Sequence, residues 1–223
     1  MIAVVDYGLG NLRSVVKALE RVGGEIKVTA DKKEILCAQA VVLPGVGAFH
    51  RGIENLKRGG ILEAILENIG KGKPFLGICL GMQLLFTESE EYGKNKGMGV
   101  IKGRVVKFSP SVKIPHMGWN QIKFHFSPLG GEEKVQFPPE EKAKIKIFEG
   151  ILDNSYFYFV HSYYVEPEDK DVVSTTTFYG KEFVSAIVKN NIFAFQFHPE
   201  KSGKLGLRIL KNFVKYVEEE NSN

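Results

Sequence analysis

A cysteine between two glycines is the residue whose type and setting first suggest chemistry. Cys79 lies in the stretch G-I-C-L-G-M-Q, residues 77–83, where an apolar run gives way to a helical pattern. A thiol on a tight strand-to-helix turn faces the helix N-terminus, whose partial positive charge favours the thiolate. Gly77 and Gly81 suit such a turn because its backbone needs room. The pattern predicts a nucleophilic cysteine, with a buried, inert cysteine as the alternative.

A cysteine nucleophile needs a base, usually a histidine, and often a carboxylate that orients the base. The stretch F-Q-F-H-P-E, residues 195–200, supplies both at the end of an alternating segment. In an extended backbone His198 and Glu200 point to the same side, and Pro199 restricts the backbone between them. We expect His198 and Glu200 to act on Cys79; the alternative is a strand-end histidine beside a solvent-exposed glutamate.

The stretch P-G-V-G, residues 44–47, follows another predicted strand. Carboxyl ends of parallel strands converge on the side of the sheet where ligands bind. The glycines permit a backbone that offers N–H groups to an oxyanion, and the N–H of Leu80 is a natural second donor. We expect an oxyanion site here, with a plain turn as the alternative.

The elements that must position these residues follow from the apolar pattern. Through about the first ninety residues, β-branched segments alternate with helical patterns, which indicates βαβ units and a parallel sheet. Further along, strands are predicted in succession over 104–108, 119–126, 156–165, 172–178, 183–188 and 192–197, before a final helix. The predicted fold class is α/β, with a mostly parallel central sheet flanked by helices and with antiparallel strands in the C-terminal half.

We expect residues 1–223 to form a single domain. Only residues 127–149 have the composition of a linker. Gly130-Gly131, Pro138-Pro139 and many charges replace the apolar pattern there. We predict a surface excursion there.

Composition excludes several classes of function. The formal charge of +4 arises from 30 basic and 26 acidic residues that are interspersed, which argues against a nucleic-acid surface. The cysteines, Cys37 and Cys79, are too few for a disulfide framework, and the histidines lack metal-binding spacing. No segment resembles a signal peptide or a membrane span. We expect a cytoplasmic protein without a metal or another cofactor.

With these three motifs in order over nearly the whole chain, the sequence resembles the class I glutamine amidotransferases, which use a Cys-His-Glu triad. The resemblance implies that Cys79 is the nucleophile, His198 the acid/base and Glu200 its orienting partner. It also implies two sets of binding residues. The oxyanion hole would be built by Val46, Gly47 and Leu80, and the amino-acid portion of glutamine would be held by Gln83, Ser162 and Tyr163.

Three further stretches narrow the resemblance: D-Y-G-L-G-N at 6–11, P-H-M-G-W-N at 115–120 and Y-F-V-H-S-Y at 158–163. They are similar to glutaminase subunits that supply ammonia for imidazole formation in histidine biosynthesis. This implies a heterodimer with a cyclase subunit that has a (β/α)8 barrel. The residues near that interface would be Asn11, His116, Met117, Gly118 and Trp119.

Other readings stay open at this point. The chain could be the glutaminase subunit of an anthranilate, aminodeoxychorismate or pyridoxal phosphate synthase, which P-H-M-G-W-N argues against. It could also be a partner-binding homologue without chemistry, which an intact triad argues against. Trp119 could simply be a core residue, the usual position of a large aromatic side chain.

Overall fold

Strands and helices alternate up to the cysteine turn, as the apolar pattern predicts. The computed structural model describes residues 1–126 and 139–221, and it describes residues 139 and 140 by their backbone alone. The strands are β1 Ile2–Val5, β2 Ile26–Thr29, β3 Ala40–Gly45, β4 Phe75–Cys79, β5 Phe86–Ser89, β6 Asn95–Lys96, β7 Ile101–Lys107, β8 His116–Gln121, β9 Lys123–Phe124, β10 Tyr156–His161, β11 Tyr163–Pro167, β12 Val173–Phe178, β13 Glu182–Lys189 and β14 Ile192–Phe195. The helices are α1 Leu12–Arg21, α2 Lys32–Cys37, α3 Phe49–Lys57, α4 Ile61–Gly70, α5 Leu80–Leu84, α6 Pro139–Ile147 and α7 Gly203–Glu220.

One large mixed sheet forms the centre of the molecule. Its main order is β2-β1-β3-β4-β14-β13-β11-β7-β5-β6, and the strands from β2 to β14 are parallel. The neighbours β14, β13, β11 and β7 pair antiparallel. The predicted fold class is confirmed. Because Gly45 pairs with Cys79 and Phe195 pairs with Ile78, the three predicted motifs meet at one edge of the sheet.

Two apolar cores cover the two faces of this sheet. The first includes Leu19 of α1, Ile147 of α6 and Phe213 of α7. The second includes buried residues of α2, α3, α4 and α5, among them Ile53 and Ile65. Helix α1 is capped at its N-terminus by the Asn11 side chain, which accepts a hydrogen bond from the Ser14 N–H. None of the helices in the described ranges is long and apolar enough to cross a membrane.

The predicted strand 156–165 is two strands in different sheets. β10 pairs with β8 in a separate two-stranded sheet, whereas β11 belongs to the large sheet. Ser162 lies at the junction between them. The predicted strand 119–126 is likewise divided into β8 and β9, and β8 begins earlier, at His116.

The predicted surface excursion requires a correction. Residues 127–138 lie outside the described residues, but residues 139–147 form α6, which packs against α7. Ala143, Ile147 and Phe148 are buried, and Asn212 of α7 donates to the carbonyls of Ile147 and Glu149. This part of the segment belongs to the core, because Ala143, Ile147 and Phe148 are part of the same apolar cluster as Phe213 of α7. That residues 1–223 form a single domain stays a prediction.

Replacing Phe148 by alanine tests this correction. The ring is buried and lies 5.2 Å from Phe124 and 5.9 Å from Phe195. Removing it from a packed core is expected to lower the free energy of unfolding by about 3–5 kcal/mol, measured by urea unfolding. The exposed neighbour Lys142→Ala is the control, with an expected change within about 0.5 kcal/mol. Equal, small changes in the free energy of unfolding for the two variants would show that this segment lies on the surface.

Candidate active site

Cys79 lies on a strained turn between β4 and α5. Its backbone has φ 54° and ψ −106°, a conformation that a non-glycine residue adopts rarely and that stores on the order of 1–3 kcal/mol. A Cβ at position 81 would stand 1.9 Å from the Leu43 carbonyl oxygen, and one at position 77 would stand 2.9 Å from the Gly81 oxygen. Both glycines are therefore required by close backbone approach, as the sequence predicts. The turn presents the sulfur at the carboxyl end of the sheet.

A cavity of about 250 Å³ opens beside the sulfur. It is lined by Cys79 together with the predicted oxyanion residues Val46, Gly47 and Leu80 and the predicted glutamine-binding residues Gln83, Ser162 and Tyr163. The structure thus brings these seven residues together, while their roles stay predictions.

Two hydrogen bonds surround the sulfur itself. The Cys79 thiol donates to the Val160 carbonyl at 3.8 Å, and the Gln196 side-chain N–H donates to Sγ at 3.6 Å.

His198 and Glu200 meet, but not through an extended strand. β14 ends at Phe195, and Pro199–Lys201 form a 3-10 turn that brings His198 Nδ1 to 2.8 Å from Glu200 Oε1. Both side chains are buried, and the His198 carbonyl accepts from the Ser202 hydroxyl. The proximity of the two side chains was predicted correctly. The prediction of an extended backbone was wrong, because proline at the first position of a helical turn favours that turn.

The charge state of His198 follows from its neighbours. Burial lowers the pKa of His198, but a negative charge on Cys79 and the hydrogen-bonded Glu200 carboxylate outweigh burial and raise that pKa to about 10. Within the described part of the chain no nitrogen or oxygen atom pairs with its buried Nε2, and the Cys79 side chain is the group whose charge and hydrogen bond act on the ring. The imidazole can therefore hold a proton beside the sulfur and has one nitrogen free for proton transfer.

Two buried histidines in contact with each other lie next to the cavity. His161 Nδ1 is 2.8 Å from the Tyr163 carbonyl oxygen, and His161 Nε2 is 3.0 Å from His116 Nδ1. Asn120 Nδ2 is 3.2 Å from His116 Nε2. Burial lowers the pKa of His161 to about 3 and that of His116 to about 4. Both rings are therefore neutral near pH 7. His116, which we predicted at the partner interface, is buried instead.

The other predicted interface residues are accessible. Met117 is 62% exposed and Trp119 is 55% exposed, so the core reading of Trp119 is wrong. Side chains alternate along β8, so these two project from one face while His116 projects from the other. Tyr156 of β10 is also exposed, Gly118 is partly buried, and Asn11 is exposed. Large apolar side chains grouped on a surface are typical of an interaction site.

Sequence reasoning missed three residues around the site. Glu91 lines the cavity, and its carboxylate accepts from the Phe49 N–H at 2.6 Å. Gln196 reaches the sulfur, as described above. Tyr7 is buried, and its hydroxyl has no hydrogen-bond partner among the described residues. Burial, and secondly a negative charge on Cys79, raise the pKa of Tyr7. Tyr7 and Gln196 lie in quoted stretches and Glu91 does not, but the contacts of all three join distant segments and are not visible in the sequence.

Comparison with known proteins agrees with this arrangement of motifs. The model of the family "Glutamine amidotransferase class-I" matches residues 3–217. The chain therefore belongs to the class I glutamine amidotransferase family. The solved structure of PurLQS from Thermotoga maritima has the same fold, with a TM-score of 0.67 at 20% identity over 96% of this chain and 97% of that one.

Curated relatives specify the branch of the family. The chain is 49% identical over 220 residues to the imidazole glycerol phosphate synthase subunit HisH of Syntrophotalea carbinolica, covering 96% of this chain and 98% of that protein. It is also 49% identical to the HisH of Aquifex aeolicus, covering 96% of each. The chain belongs with these glutamine amidotransferase subunits of imidazole glycerol phosphate synthase, and the resemblance inferred from the motifs is confirmed.

The neutral His161 predicts acid sensitivity. Its pKa of about 3 in the fold lies below its ordinary value of about 6.5, so the unfolded chain takes up a proton in this window that the folded chain does not. The free energy of unfolding therefore falls as the pH falls from 6.5 towards 3, by about 2 kcal/mol between pH 7 and pH 5. His161→Phe should remove that part of the fall, measured by urea unfolding at both pH values.

The control for this prediction is Phe159→Leu, a substitution in the same aromatic cluster. It lowers stability without removing a titrating group, so its fall between pH 7 and pH 5 should equal that of the unmodified protein. An undiminished fall in His161→Phe would show that His161 is not kept neutral by the fold.

Proposed function

We propose that the chain hydrolyses glutamine to glutamate and ammonia through Cys79, His198 and Glu200. The ammonia passes to a cyclase partner, which uses it to make imidazole glycerol phosphate and an aminoimidazole carboxamide ribotide in histidine biosynthesis. The observation that carries the chemical part is the strained Cys79 turn beside the buried His198–Glu200 pair. Membership of the HisH branch supports the identity of the synthase.

The reaction begins with attack of the Cys79 sulfur on the carboxamide carbon of glutamine. A C–S bond forms, and the carbonyl oxygen becomes an oxyanion that the N–H groups near Val46, Gly47 and Leu80 stabilise. His198 then donates its proton to the leaving nitrogen as the C–N bond breaks. Ammonia leaves and a thioester remains. Glu200 holds the imidazole in orientation and stabilises its protonated form.

Hydrolysis of the thioester completes the cycle. Neutral His198 takes a proton from water, whose oxygen bonds to the acyl carbon. The tetrahedral intermediate collapses, the C–S bond breaks, and glutamate forms. The thiolate and the protonated His198 are restored, so the pair is ready for another glutamine.

The cavity residues supply recognition of the amino acid. We assign the amino-acid portion of glutamine to Gln83, Ser162 and Tyr163. The side-chain N–H groups of Gln83 are engaged by Tyr163 and Gln196, which leaves its oxygen to accept a hydrogen bond from the substrate. Glu91, which lines the same cavity, adds a carboxylate that suits the substrate's ammonium group.

The partner is a cyclase subunit with a (β/α)8 barrel, in a cytoplasmic heterodimer. We assign its docking surface to Met117, Gly118 and Trp119 on β8, extended by Tyr156 and by Asn11. Exposure of the large apolar side chains of β8 and β10 supports this assignment. A docked partner allows ammonia to pass without protonation in bulk water.

Replacing Cys79 by alanine tests the chemical proposal. Glutamate release is expected to fall by at least about a thousandfold, because the covalent route is lost. Synthesis by the complex from added ammonium salts should continue, since it bypasses the thiol. The control is Cys37→Ala, which removes the exposed cysteine and should leave both rates unchanged. Glutamate release near the unmodified rate in Cys79→Ala would exclude the covalent mechanism.

Replacing Trp119 by serine tests the docking surface. A large exposed aromatic side chain at an interface centre typically contributes at least 2 kcal/mol, so the Kd for the cyclase encoded by the same cell should rise roughly thirtyfold. The measurement is titration calorimetry with purified subunits. Val28→Ser, at an exposed position on β2, is the control and should not change the Kd. Equal Kd values for the two variants would show that Trp119 does not lie in the interface. Tight binding to a chorismate-using synthase instead of the cyclase would contradict the proposed reaction.

A further inference from the structure

Gln196 is fully buried beside the nucleophile and has no part in the mechanism described above. Its backbone N–H is already bonded to the Ser185 carbonyl, so its position at the end of β14 is fixed. Its side-chain amide stands between two residues of the site. Nε2 is 3.6 Å from Cys79 Sγ, and Oε1 is 3.0 Å from Gln83 Nε2.

The orientation of this amide follows from its neighbours. The Tyr163 carbonyl can only accept, so the Gln83 group 3.0 Å away must be its NH2. That same NH2 also faces Gln196 at 3.0 Å, and it can be satisfied there only by an acceptor, the Gln196 oxygen. The Gln196 NH2 is therefore left facing the sulfur.

The carbonyl that sets this order is itself anchored. It receives a second hydrogen bond from His161 Nδ1 at 2.8 Å, so both of its lone pairs are occupied. His161 is bonded in turn to His116, and His116 to Asn120. In this series of hydrogen bonds each imidazole ring donates from Nδ1 and accepts at Nε2. The direction is set because the series ends in the Tyr163 carbonyl at one side and in the Asn120 NH2 at the other. Reversing Gln196 would break two hydrogen bonds in a buried network.

Two groups hydrogen-bond to the sulfur with opposite preferences, while two titratable side chains, His198 and Tyr7, interact with its charge. The Val160 carbonyl, an acceptor, favours the protonated thiol that donates to it. The Gln196 N–H, a donor, favours the thiolate, because hydrogen bonds to a charged acceptor are stronger than those to a neutral one. Without Gln196, the sulfur would keep the Val160 carbonyl as an acceptor and would lose the side-chain N–H donor.

We propose that Gln196 is a positioning residue for the nucleophile, whose side-chain N–H holds Cys79 Sγ and stabilises its ionised form. This inference rests on the proposed function, because it concerns the thiol that acts as the nucleophile there. It involves no covalent step of its own. Gln196 acts through Cys79, with its donor direction imposed by Gln83 and the Tyr163 carbonyl.

The test is the rate of alkylation of Cys79 by iodoacetamide as a function of pH, followed by peptide mass spectrometry. Gln196→Met retains length and apolar volume but lacks the donor. We expect alkylation at pH 7 to slow by threefold to tenfold, and the pH of half-maximal rate to rise by about one unit, as loss of a hydrogen bond to a charged group implies. Cys37, exposed in the same chain, is the internal standard and should react at an unchanged rate.

The matched control is Asn68→Leu, which removes another buried amide donor, to the Ile35 carbonyl. It should leave the Cys79 profile unchanged, which separates the specific effect from general loss of stability. Gln196→Asn keeps an amide but withdraws it by one methylene, so it should shift the profile in the same direction. If Gln196→Met does not fold, Gln196→Asn decides. An unchanged Cys79 profile in a folded Gln196 variant would overturn the proposal.

Failure here is distinguishable from failure of the proposed function. Alkylation reports on the thiol and needs neither glutamine nor the partner. Glutamate release by Cys79→Ala decides whether the thiol is the nucleophile, whereas the alkylation profile of Gln196→Met decides what holds it.

Discussion

The close approach of the cysteine turn to β3 is the constraint on which the rest of the site depends. There is no room for a side chain at Gly81, because the Leu43 carbonyl lies directly against it. Cys79 must then adopt positive φ to connect β4 to α5. This strain is tolerated because α5 is anchored by burial, with Leu80, Met82 and Leu84 inaccessible to solvent. Since β3, β4 and β14 are in register, one rigid edge fixes the sulfur, P-G-V-G and the segment leading to His198 together.

The buried histidines show how environment sets the charge of one residue type. His198 has a negative charge on Cys79 and the Glu200 carboxylate as neighbours, so its pKa rises despite burial. His161 has a carbonyl and a second imidazole, so burial prevails and its pKa falls. A buried charge is tolerated where an opposite charge compensates for lost hydration. The protein therefore keeps one imidazole ready to give a proton and another fixed as a neutral hydrogen-bonding group a short distance away.

Local features of the sequence predict the parts of the site that depend on local geometry. The glycines of G-x-C-x-G predict the turn, and strand ends in a parallel sheet predict that P-G-V-G and F-Q-F-H-P-E approach it. α6 was not predicted because its buried positions, such as Ala143 and Ile147, are separated by lysines and give little amphipathic pattern. The H-P-E turn was misjudged because the backbone was assumed to stay extended from His198 to Glu200, beyond the predicted strand.

Other features depend on pairing between distant segments and cannot be derived from one sequence. His116 faces His161 because β8 and β10 pair in one register, and a shift by one residue would place His116 on the exposed face. Period-two alternation does separate Met117 and Trp119 from His116 and Asn120, but it does not reveal which set is buried. The same holds for Gln196. Its place in F-Q-F-H-P-E is visible in the sequence, whereas its contacts with Gln83 and Cys79 form only in the folded sheet.

The β8–β10 sheet joins these two kinds of feature. It has only two strands, which contribute little stability alone, and it carries exposed apolar residues on one face and the buried histidines on the other. Its last pair, His116 and His161, adjoins Ser162 and Tyr163 of the cavity. If the partner docks on the apolar face as proposed, it would favour one arrangement of these strands and, through the His161–Tyr163 hydrogen bond, one arrangement of the cavity. If partner binding changes the affinity for glutamine through this sheet, glutamine must change the affinity for the partner by the same factor, because the coupling free energy is reciprocal.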